Sequence, residues 1–400
     1  MEPTHRLSRA KLQNLERLRV PKRKWLTEER SQMSFSRRRF VQLVGAGVVL
    51  PSQLLRAQHT SQMSSSADPS IFVNSKVSLI QGDDRRKNVY QALLKIDGQI
   101  LTGLQKKNYV IIKPNNVSTS NQLASTHCDA LSGILDYLEP RFKGPVIIAE
   151  SSALDSLEGF ECFKYNQLVA ERKAQKLSLV DLNREGRYET IFLLDADLHV
   201  IPTRLAARLL DPNAFVISCA MLKTHNTVVA TLSVKNMVLG APLHSAPGEL
   251  RWNDKRNYHL GIRQTHYNML VTAQKLRQNW GVAVIDGFEG MEGNGPTKGT
   301  AVPSHVAIAS ADYVAADRVA LEVMGINPGW VGYLDYCGQA GVGQYDLSRI
   351  DLLGSTIGSV QRKYQLHQDI DRELKWMGPM TEMPPKIGTL NHDALDFIYG

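Results

Sequence analysis

The chain has 400 residues, of which 43% are hydrophobic and 22% are charged, as is usual for a globular protein with a large core. The formal net charge is +8, but residues 1–57 hold 13 Lys/Arg and 4 Asp/Glu, so the remainder carries about −1. A nearly neutral body argues against nucleic-acid binding, which needs a basic face. The sequence has no run of 18 apolar residues, which argues against an ordinary membrane-spanning helix. The length fits two or three domains or one large α/β unit.

Residues 1–57 are predicted to be a leader that directs export. Residues 36–41 read SRRRFV, which resembles the twin-arginine signal that bacterial export machinery reads as an address. The following apolar run is too short to span a membrane. We therefore expect twin-arginine export to the periplasm; a basic amphipathic start is the alternative. Met33 fits as the true start better than a long charged n-region, and both cleavage of the leader and its retention as an anchor stay open.

After a predicted linker at residues 58–76, apolar runs alternate with segments of helical periodicity. The runs typical of strands are residues 77–80, 109–113, 144–150, 177–182, 215–222, 282–286 and 305–312. The segments with helical spacing are residues 86–101, 125–138, 157–176, 258–280 and 313–324. This alternation predicts an α/β fold with a largely parallel sheet flanked by helices, in one body or two lobes. We place this domain at residues 77–350 and a C-terminal extension at residues 351–400.

The four cysteines are Cys128, Cys162, Cys219 and Cys337. None has the CxxC spacing of zinc ribbons, thioredoxins or ferredoxins. We expect Cys162 and Cys219 to be small buried residues. The disulfide state of the four cysteines stays open.

Polar side chains follow the apolar run that ends at Lys113. Ligands of α/β proteins usually bind where parallel strands end. Lys113 either points into a cleft there or lies exposed at a turn. The next predicted helix begins beside the same strand ends, with Thr126 as its N-cap. The predicted substrate-binding residues in this region are Lys113, Asn115, Asn116 and His127.

The stretch at residues 223–242 reads KTHNTVVATLSVKNMVLGAP and follows a second apolar run. Burying so many polar groups without partners would cost a few kcal/mol each, which favours a functional role. A solvated loop and helix start is the alternative. Asn236 is predicted to bind substrate. The predicted catalytic residues are Lys223, His225, Lys235 and Asp317, the last because a carboxylate on an apolar helix face needs a partner.

A glycine-rich stretch at residues 285–296 carries carboxylates between its glycines. Glycine lets the backbone approach a ligand closely, and carboxylate oxygens suit a hard cation such as Mg or Ca. A surface loop is the alternative, and Asp312 also fits a helix N-cap. His259 and His266 fit surface or core positions better than a metal-binding pair. The predicted ligands of a divalent metal are Asp286, Glu289, Glu292 and Asp312.

Together these segments resemble the domain-of-unknown-function 362 family of bacteria and archaea. The matching motifs are IIKPNN at 111–116, the helix start at 126–127, KTH at 223–225, VKN at 234–236, IDGFEGMEGNGP at 285–296 and SADYVAADRVALEVMG at 310–325. The resemblance implies a fold and a ligand site. It does not identify a substrate, because the family has no agreed reaction. Members that resemble iron–sulfur proteins carry added ferredoxin-type cysteines. This chain lacks those cysteines, so no iron–sulfur cluster is implied.

The mixture of lysines, imidazole and carboxylates predicts an enzyme that acts on a small anionic substrate, either a carboxylate or a phosphate. The lysines would anchor the anion, and His225 would act as general acid and base because its ordinary pKa is about 6.5. The second hypothesis is a periplasmic ligand- or cofactor-binding protein without turnover. Such a protein would hold one ligand and leave it chemically unchanged.

Overall fold

The structure is a computed structural model that describes residues 74–246 and 248–378. The predicted leader, most of the predicted linker and the end of the predicted C-terminal extension lie outside the described residues. The strands are β1 (Ser75–Gln81), β2 (Tyr109–Lys113), β3 (Val146–Glu150), β4 (Leu177–Asp181), β5 (Tyr188–Leu194), β6 (Val200–Ala206), β7 (Ala214–His225), β8 (Val229–Thr231), β9 (Trp280–Glu292), β10 (Thr300–Val302), β11 (Val306–Ser310) and β12 (Ile350–Gly354).

The α-helices of the described residues cover both faces of the sheet and its ends. They are α1 (Arg85–Lys95), α2 (Asp97–Leu104), α3 (Cys128–Leu138), α4 (Ser156–Cys162), α5 (Tyr165–Glu171), α6 (Leu182–Glu185), α7 (Ser233–Gly240), α8 (Ile262–Leu276), α9 (Tyr313–Val323), α10 (Gly332–Gln339), α11 (Ile357–Val360) and α12 (Ile370–Glu373). None of these described helices has both the length and the apolar composition that a membrane crossing requires.

The main path of the sheet has the strand order β12-β1-β11-β9-β7-β2-β3-β4. Strands β2, β3, β4, β7 and β9 run parallel to one another. Strand β11 runs antiparallel to both of its neighbours, β9 and β1. Strand β8 pairs with β7, and strand β10 pairs with β9. Strands β5 and β6 pair with each other in a separate hairpin. The predicted α/β fold with a largely parallel sheet is confirmed.

Apolar side chains alternate between the two faces of the central strands. Val110 and Ile112 of β2 join the core that includes α1, α2 and α3. Ile111 points the other way and joins the core that includes α7, α8 and α9. Both faces of β2 are therefore buried, which explains why its sequence is a continuous apolar run.

Several predicted boundaries differ from the structure. The predicted helix at 157–176 is two helices, α4 and α5, separated by Lys164, which has a left-handed backbone conformation with φ of 63°. Strand β9 continues to Glu292, six residues beyond the predicted end at Asp286. Strand β12 begins at Ile350, the last residue of the predicted domain, continues to Gly354 and pairs with β1. Residues 351–354 of the predicted extension are thus part of the same sheet.

The structure leaves all four cysteines free. Cys219 is buried, as predicted, but Cys162 is exposed, so that prediction was wrong. Cys162 ends the short helix α4, whose buried residues include Gly159 and Phe160. Because successive helical residues turn by about 100°, Cys162 lies on the opposite side from Phe160.

Gly295 lies in the turn after β9, where an added Cβ would be 2.2 Å from the carbonyl oxygen of Thr224. We expect Gly295→Ala to lower the free energy of unfolding by about 1–3 kcal/mol, because the backbone of β7 cannot move aside easily. Urea denaturation followed by circular dichroism measures this. Gly98→Ala is the matched control, since nothing lies within 4 Å of that position in α2. Equal stability of the two variants would contradict the close approach.

Candidate functional site

A cavity of about 630 Å³ lies at the edge of the sheet where β2, β3 and β7 end. These strands end at Lys113, Glu150 and His225, and all three residues line the cavity. The other walls come from α7, from residues 253–265, from the turn at 294–298 and from residues 367–372. The size and position are those of a small-molecule site in an α/β protein.

Lys113 is held in place by three acceptors. Its Nζ donates to Glu150 Oε1 at 2.5 Å, to the carbonyl oxygen of Pro114 at 2.9 Å and to Asn236 Oδ1 at 3.3 Å. A lysine ammonium has three protons, so no donor is left for a ligand. Gly240 makes room for this arrangement, because a Cβ there would lie 2.2 Å from Lys113 Cε. Lys113 therefore contributes charge to the cavity rather than a free hydrogen-bond donor.

Glu150 and two asparagines form the polar wall beside Lys113. Glu150 Oε2 accepts from the backbone N of Asn116 at 2.9 Å. Asn115 Nδ2 donates to Asn236 Oδ1 at 3.1 Å. Two buried amide atoms in this wall, Asn115 Oδ1 and Asn116 Nδ2, have no hydrogen-bond partner among the described residues. Buried polar atoms are usually paired, so these atoms favour a polar ligand at this wall.

Lys235, the third residue of α7, is the buried cation of the cavity with free donors. Its side chain lines the cavity and the residue is only 6% exposed. Within the described part of the chain, no hydrogen bond or ion pair holds its Nζ. Burial and the nearby charge of Lys113 lower the pKa of Lys235 to about 7. The ammonium and amine forms are therefore both well populated near neutral pH.

Lys255 also lines the cavity, but its donors are occupied. Its Nζ donates to the carbonyl oxygen of Pro242 at 2.6 Å, to Ser151 Oγ at 3.1 Å and to the carbonyl oxygen of Leu239 at 3.3 Å. Burial lowers the pKa of Lys255 to about 7. Lys235 and Lys255 thus share a similar pKa but differ in whether the nitrogen is free.

Three histidines line the cavity, and burial lowers the pKa of each of them below its usual range. His225 Nδ1 accepts from the backbone N of Thr227 at 3.1 Å, so the neutral ring carries its proton on Nε2. Burial and then the charge of Lys235 hold the pKa of His225 well below its usual range. Burial lowers the pKa of His259 to about 4 and also lowers the pKa of His367.

The residues that line the cavity include more basic than acidic side chains. Among the described residues, Glu150 is the one carboxylate that lines it, and it pairs with Lys113. The basic side chains that line it are Lys113, Lys235, Lys255, Lys298 and Arg372, and Arg372 pairs with Asp369 at 3.3 Å. A concave site with one sign of charge attracts ligands of the opposite sign. The cavity is therefore suited to an anion.

Lys223, predicted as a catalytic residue, and His127, predicted to bind substrate, lie outside this cavity. Lys223 is fully buried and its Nζ donates to the carbonyl oxygen of Ala124 at 2.7 Å. Burial and the charge of Lys235 hold the pKa of Lys223 well below its usual range. His127 caps α3, with Nδ1 accepting from the backbone N of Asp129 at 3.0 Å, so Thr126 is not the N-cap that we expected. The structure does not bring Lys223 or His127 to the cavity lining.

Asp317 also lies outside the cavity, and it caps the start of α7. Its Oδ1 accepts from the backbone N of Ser233 at 2.7 Å, and its Oδ2 accepts from that of Val234 at 2.9 Å. The side chain is fully buried, and burial raises its pKa well above its usual range. Lys235 is the next residue after Val234. Asp317 is therefore a positioning residue that fixes the helix start on which Lys235 sits.

The four predicted metal ligands do not gather. Asp286 forms an ion pair with Arg85 at 3.2 Å, and the Glu289 carboxylate lies 3.8 Å from the same guanidinium. Glu292 Oε2 accepts a hydrogen bond from the backbone N of Gln365 at 2.8 Å. Asp312 caps α9. Because β9 continues as a strand to Glu292, its carboxylates are spread along the strand instead of folding around one point.

A different group has the spacing of metal ligands. Potential ligand atoms of Asp195, Asp197 and His199, on the turn between β5 and β6, lie within 4.8 Å of one another, and no other described group meets this criterion. Asp195 Oδ1 already accepts the backbone N–H groups of Asp197 and His199, at 2.9 and 2.8 Å. These hydrogen bonds close the turn, and the closed turn explains why the three side chains lie close together.

The predicted site residues did not include several residues that line the cavity, among them Glu150, Lys255, His259, Lys298, His367 and Arg372. Lys255 and His259 lie in a polar segment with no apolar run before it, so nothing marks them as strand-end residues. His367 and Arg372 lie in the predicted C-terminal extension. The high content of His, Lys and Arg in these two segments was the one available signal.

The family described as domain of unknown function (DUF362) matches residues 110–322, more than half of the chain. The chain belongs to the DUF362 family. The match begins in β2 and ends in α9, so it contains Lys113, His225 and Lys235 of this DUF362 protein, and the predicted resemblance is confirmed.

No curated protein matches this DUF362 chain. It is similar to a crystal structure of a protein from Thermotoga maritima, determined as a structural-genomics target, with 9% sequence identity and a TM-score of 0.35. The similarity covers 53% of this chain and 52% of the other, so the DUF362 chain spans about half the length of that protein.

We expect Asp317→Asn to destabilise the protein by about 1–3 kcal/mol, because one buried N–H group at the start of α7 loses its acceptor. Thermal and urea denaturation measure the change. Asp335→Asn is the matched control, because within the described ranges the Asp335 side chain hydrogen-bonds to a single residue, the exposed Gln339 of the same helix. Unchanged stability of the Asp317 variant would contradict the capping role.

Proposed function

We propose that this DUF362 protein is an enzyme that acts on a small substrate bearing a carboxylate or phosphate group. The observation that carries the proposal is Lys235, a buried lysine that lines the cavity and whose Nζ has no hydrogen-bond or ion-pair partner among the described residues. Desolvating an ammonium without a counter-charge is costly, and a bound anion would supply the missing partner.

The other cations support this proposal by their charge. Lys113 and Lys255 are fixed by their own hydrogen bonds, so their charges remain at the same positions whether or not a ligand is bound. Lys298 is exposed and lines the cavity as well. Fixed charges need no rearrangement when an anion arrives, which is the condition for efficient electrostatic stabilisation.

His225 is proposed to act on the bound substrate through Nε2–H. Because Nδ1 accepts the Thr227 N–H, the neutral ring offers a donor and no free lone pair. A neutral imidazole of this kind stabilises an oxygen on which negative charge develops. The sequence predicted that His225 acts as general acid and general base. The hydrogen bond to Nδ1 favours a role in which His225 donates a hydrogen bond from Nε2 rather than accepts a proton.

We expect the affinity for small anions to fall as the pH rises above about 7. The ammonium form of Lys235 binds the anion, and the pKa of Lys235 in the free protein is about 7. Below that pH the affinity should be flat; above it, binding requires uptake of a proton, and Kd should rise by up to about tenfold per pH unit. Isothermal titration calorimetry with sulfate, acetate and succinate between pH 6 and pH 9 measures this, because these anions keep nearly the same charge over the range that brackets the pKa of Lys235.

Two variants serve as controls for the pH dependence. Lys235→Arg keeps a charge at all these pH values and should make the profile less steep, with the remaining pH dependence coming from Lys255, whose pKa is also about 7. Lys235→Met should bind none of the three anions. Binding by Lys235→Met that equals wild-type binding would contradict the anchoring role.

His225→Ala should lower turnover by a factor of about 100 or more while anion affinity stays within a few-fold of wild type, because the donor acts mainly on the reacting oxygen. Turnover is measured by NMR on a panel of small carboxylates and phosphate esters. His199→Ala, at an exposed histidine on the β5–β6 turn, is the control. Full activity of His225→Ala would contradict the role. Binding without any chemical change by the wild-type protein would favour a binding protein instead.

A further inference from the structure

We infer that Lys235 forms a covalent imine with the carbonyl carbon of a small 2-oxo acid. This inference rests on the proposed anion-binding function and names the substrate class. It goes further because Lys235 then acts as a nucleophile as well as an anchor.

The first argument is the state of the Lys235 nitrogen. A lysine becomes a nucleophile when burial or a neighbouring cation favours its uncharged form, and both conditions hold here through burial and the charge of Lys113. Its Nζ makes no hydrogen bond or ion pair within the described residues and faces a volume that holds a small molecule. The amine lone pair is therefore available to an electrophile.

The second argument is the contrast with Lys255, whose pKa is lowered to the same value, about 7. The Lys255 nitrogen is surrounded by three acceptors, including the carbonyl oxygens of Leu239 and Pro242. Attack by Lys255 would break these bonds, so acidity alone does not select the nucleophile. Geometry assigns the role to Lys235.

The substrate class follows from the charges. An oxo acid places a carboxylate beside the reactive carbonyl, so one small molecule meets both the cationic walls and the amine. The iminium ion that forms is itself a cation, and it stays next to the same carboxylate. An aldehyde or ketone without an acidic group would gain nothing from Lys113, Lys298 or Arg372.

The step balances without an oxidant or a reductant. The Lys235 amine forms a C–N bond while the carbonyl π bond breaks, and one amine proton moves to the oxygen to give a carbinolamine. The hydroxyl takes up one proton from solvent and leaves as water, and the iminium nitrogen keeps the second amine proton. His225 Nε2–H hydrogen-bonds to the oxygen while it carries negative charge.

The test is reductive trapping of the full chain. Purified protein is incubated with pyruvate and cyanoborohydride, digested and analysed by mass spectrometry for the reduced pyruvate adduct. We expect one adduct, at Lys235, with labelling of that residue at least about tenfold above Lys255 and the exposed Lys298. Pyruvate affinity is measured in parallel by calorimetry without the reductant.

Lys235→Arg separates the two proposals, because arginine keeps the charge but does not form an imine. This variant should still bind pyruvate and should give no adduct. Wild-type protein that binds pyruvate without an adduct at Lys235 would overturn the imine and leave the anion site standing. Equal labelling of many lysines would overturn it as well. Failure of the wild-type protein to bind sulfate, acetate, succinate or pyruvate would overturn the proposed function itself.

Discussion

One buried carboxylate organises the polar edge of the sheet. Glu150 ends β3 beside Lys113 at the end of β2, and these two neighbouring strands run parallel. Removing one partner of a buried ion pair costs about 3–5 kcal/mol, since the other charge is stranded. Glu150 also accepts the backbone N–H of Asn116, which fixes the turn after β2. Because Glu150 is bonded to Lys113, Lys235 has no carboxylate partner among the described residues that line the cavity.

Much of the fold and part of the site could be predicted because strand ends are visible in the sequence. Apolar runs mark β2 and β7, and parallel strands bring their carboxyl ends to one edge. Lys113 and His225 follow those runs and do line the cavity. Lys235 was found for the same reason, since α7 begins shortly after β7 ends. The local sequence pattern was sufficient to predict a cavity residue wherever the sheet itself sets the position of the side chain.

The rest depended on partners far along the chain. Asp317 looks the same in the sequence whether a substrate or a helix start satisfies it, and its partner Ser233 is 84 residues away. The stretch around Glu292 was predicted to be a loop because glycines are unusual inside a strand, yet β9 continues through it. His367 reaches the cavity after β12 has joined the far edge of the sheet. No local pattern encodes these long-range placements.

The family match stops at residue 322, yet His367 and Arg372 form part of the cavity wall. The matched segment therefore supplies Lys113, His225 and Lys235, while a later part of the chain supplies another part of the cavity wall. In this chain, a match to residues 110–322 therefore describes only part of the cavity wall, and the remaining part comes from sequence that the family model does not cover.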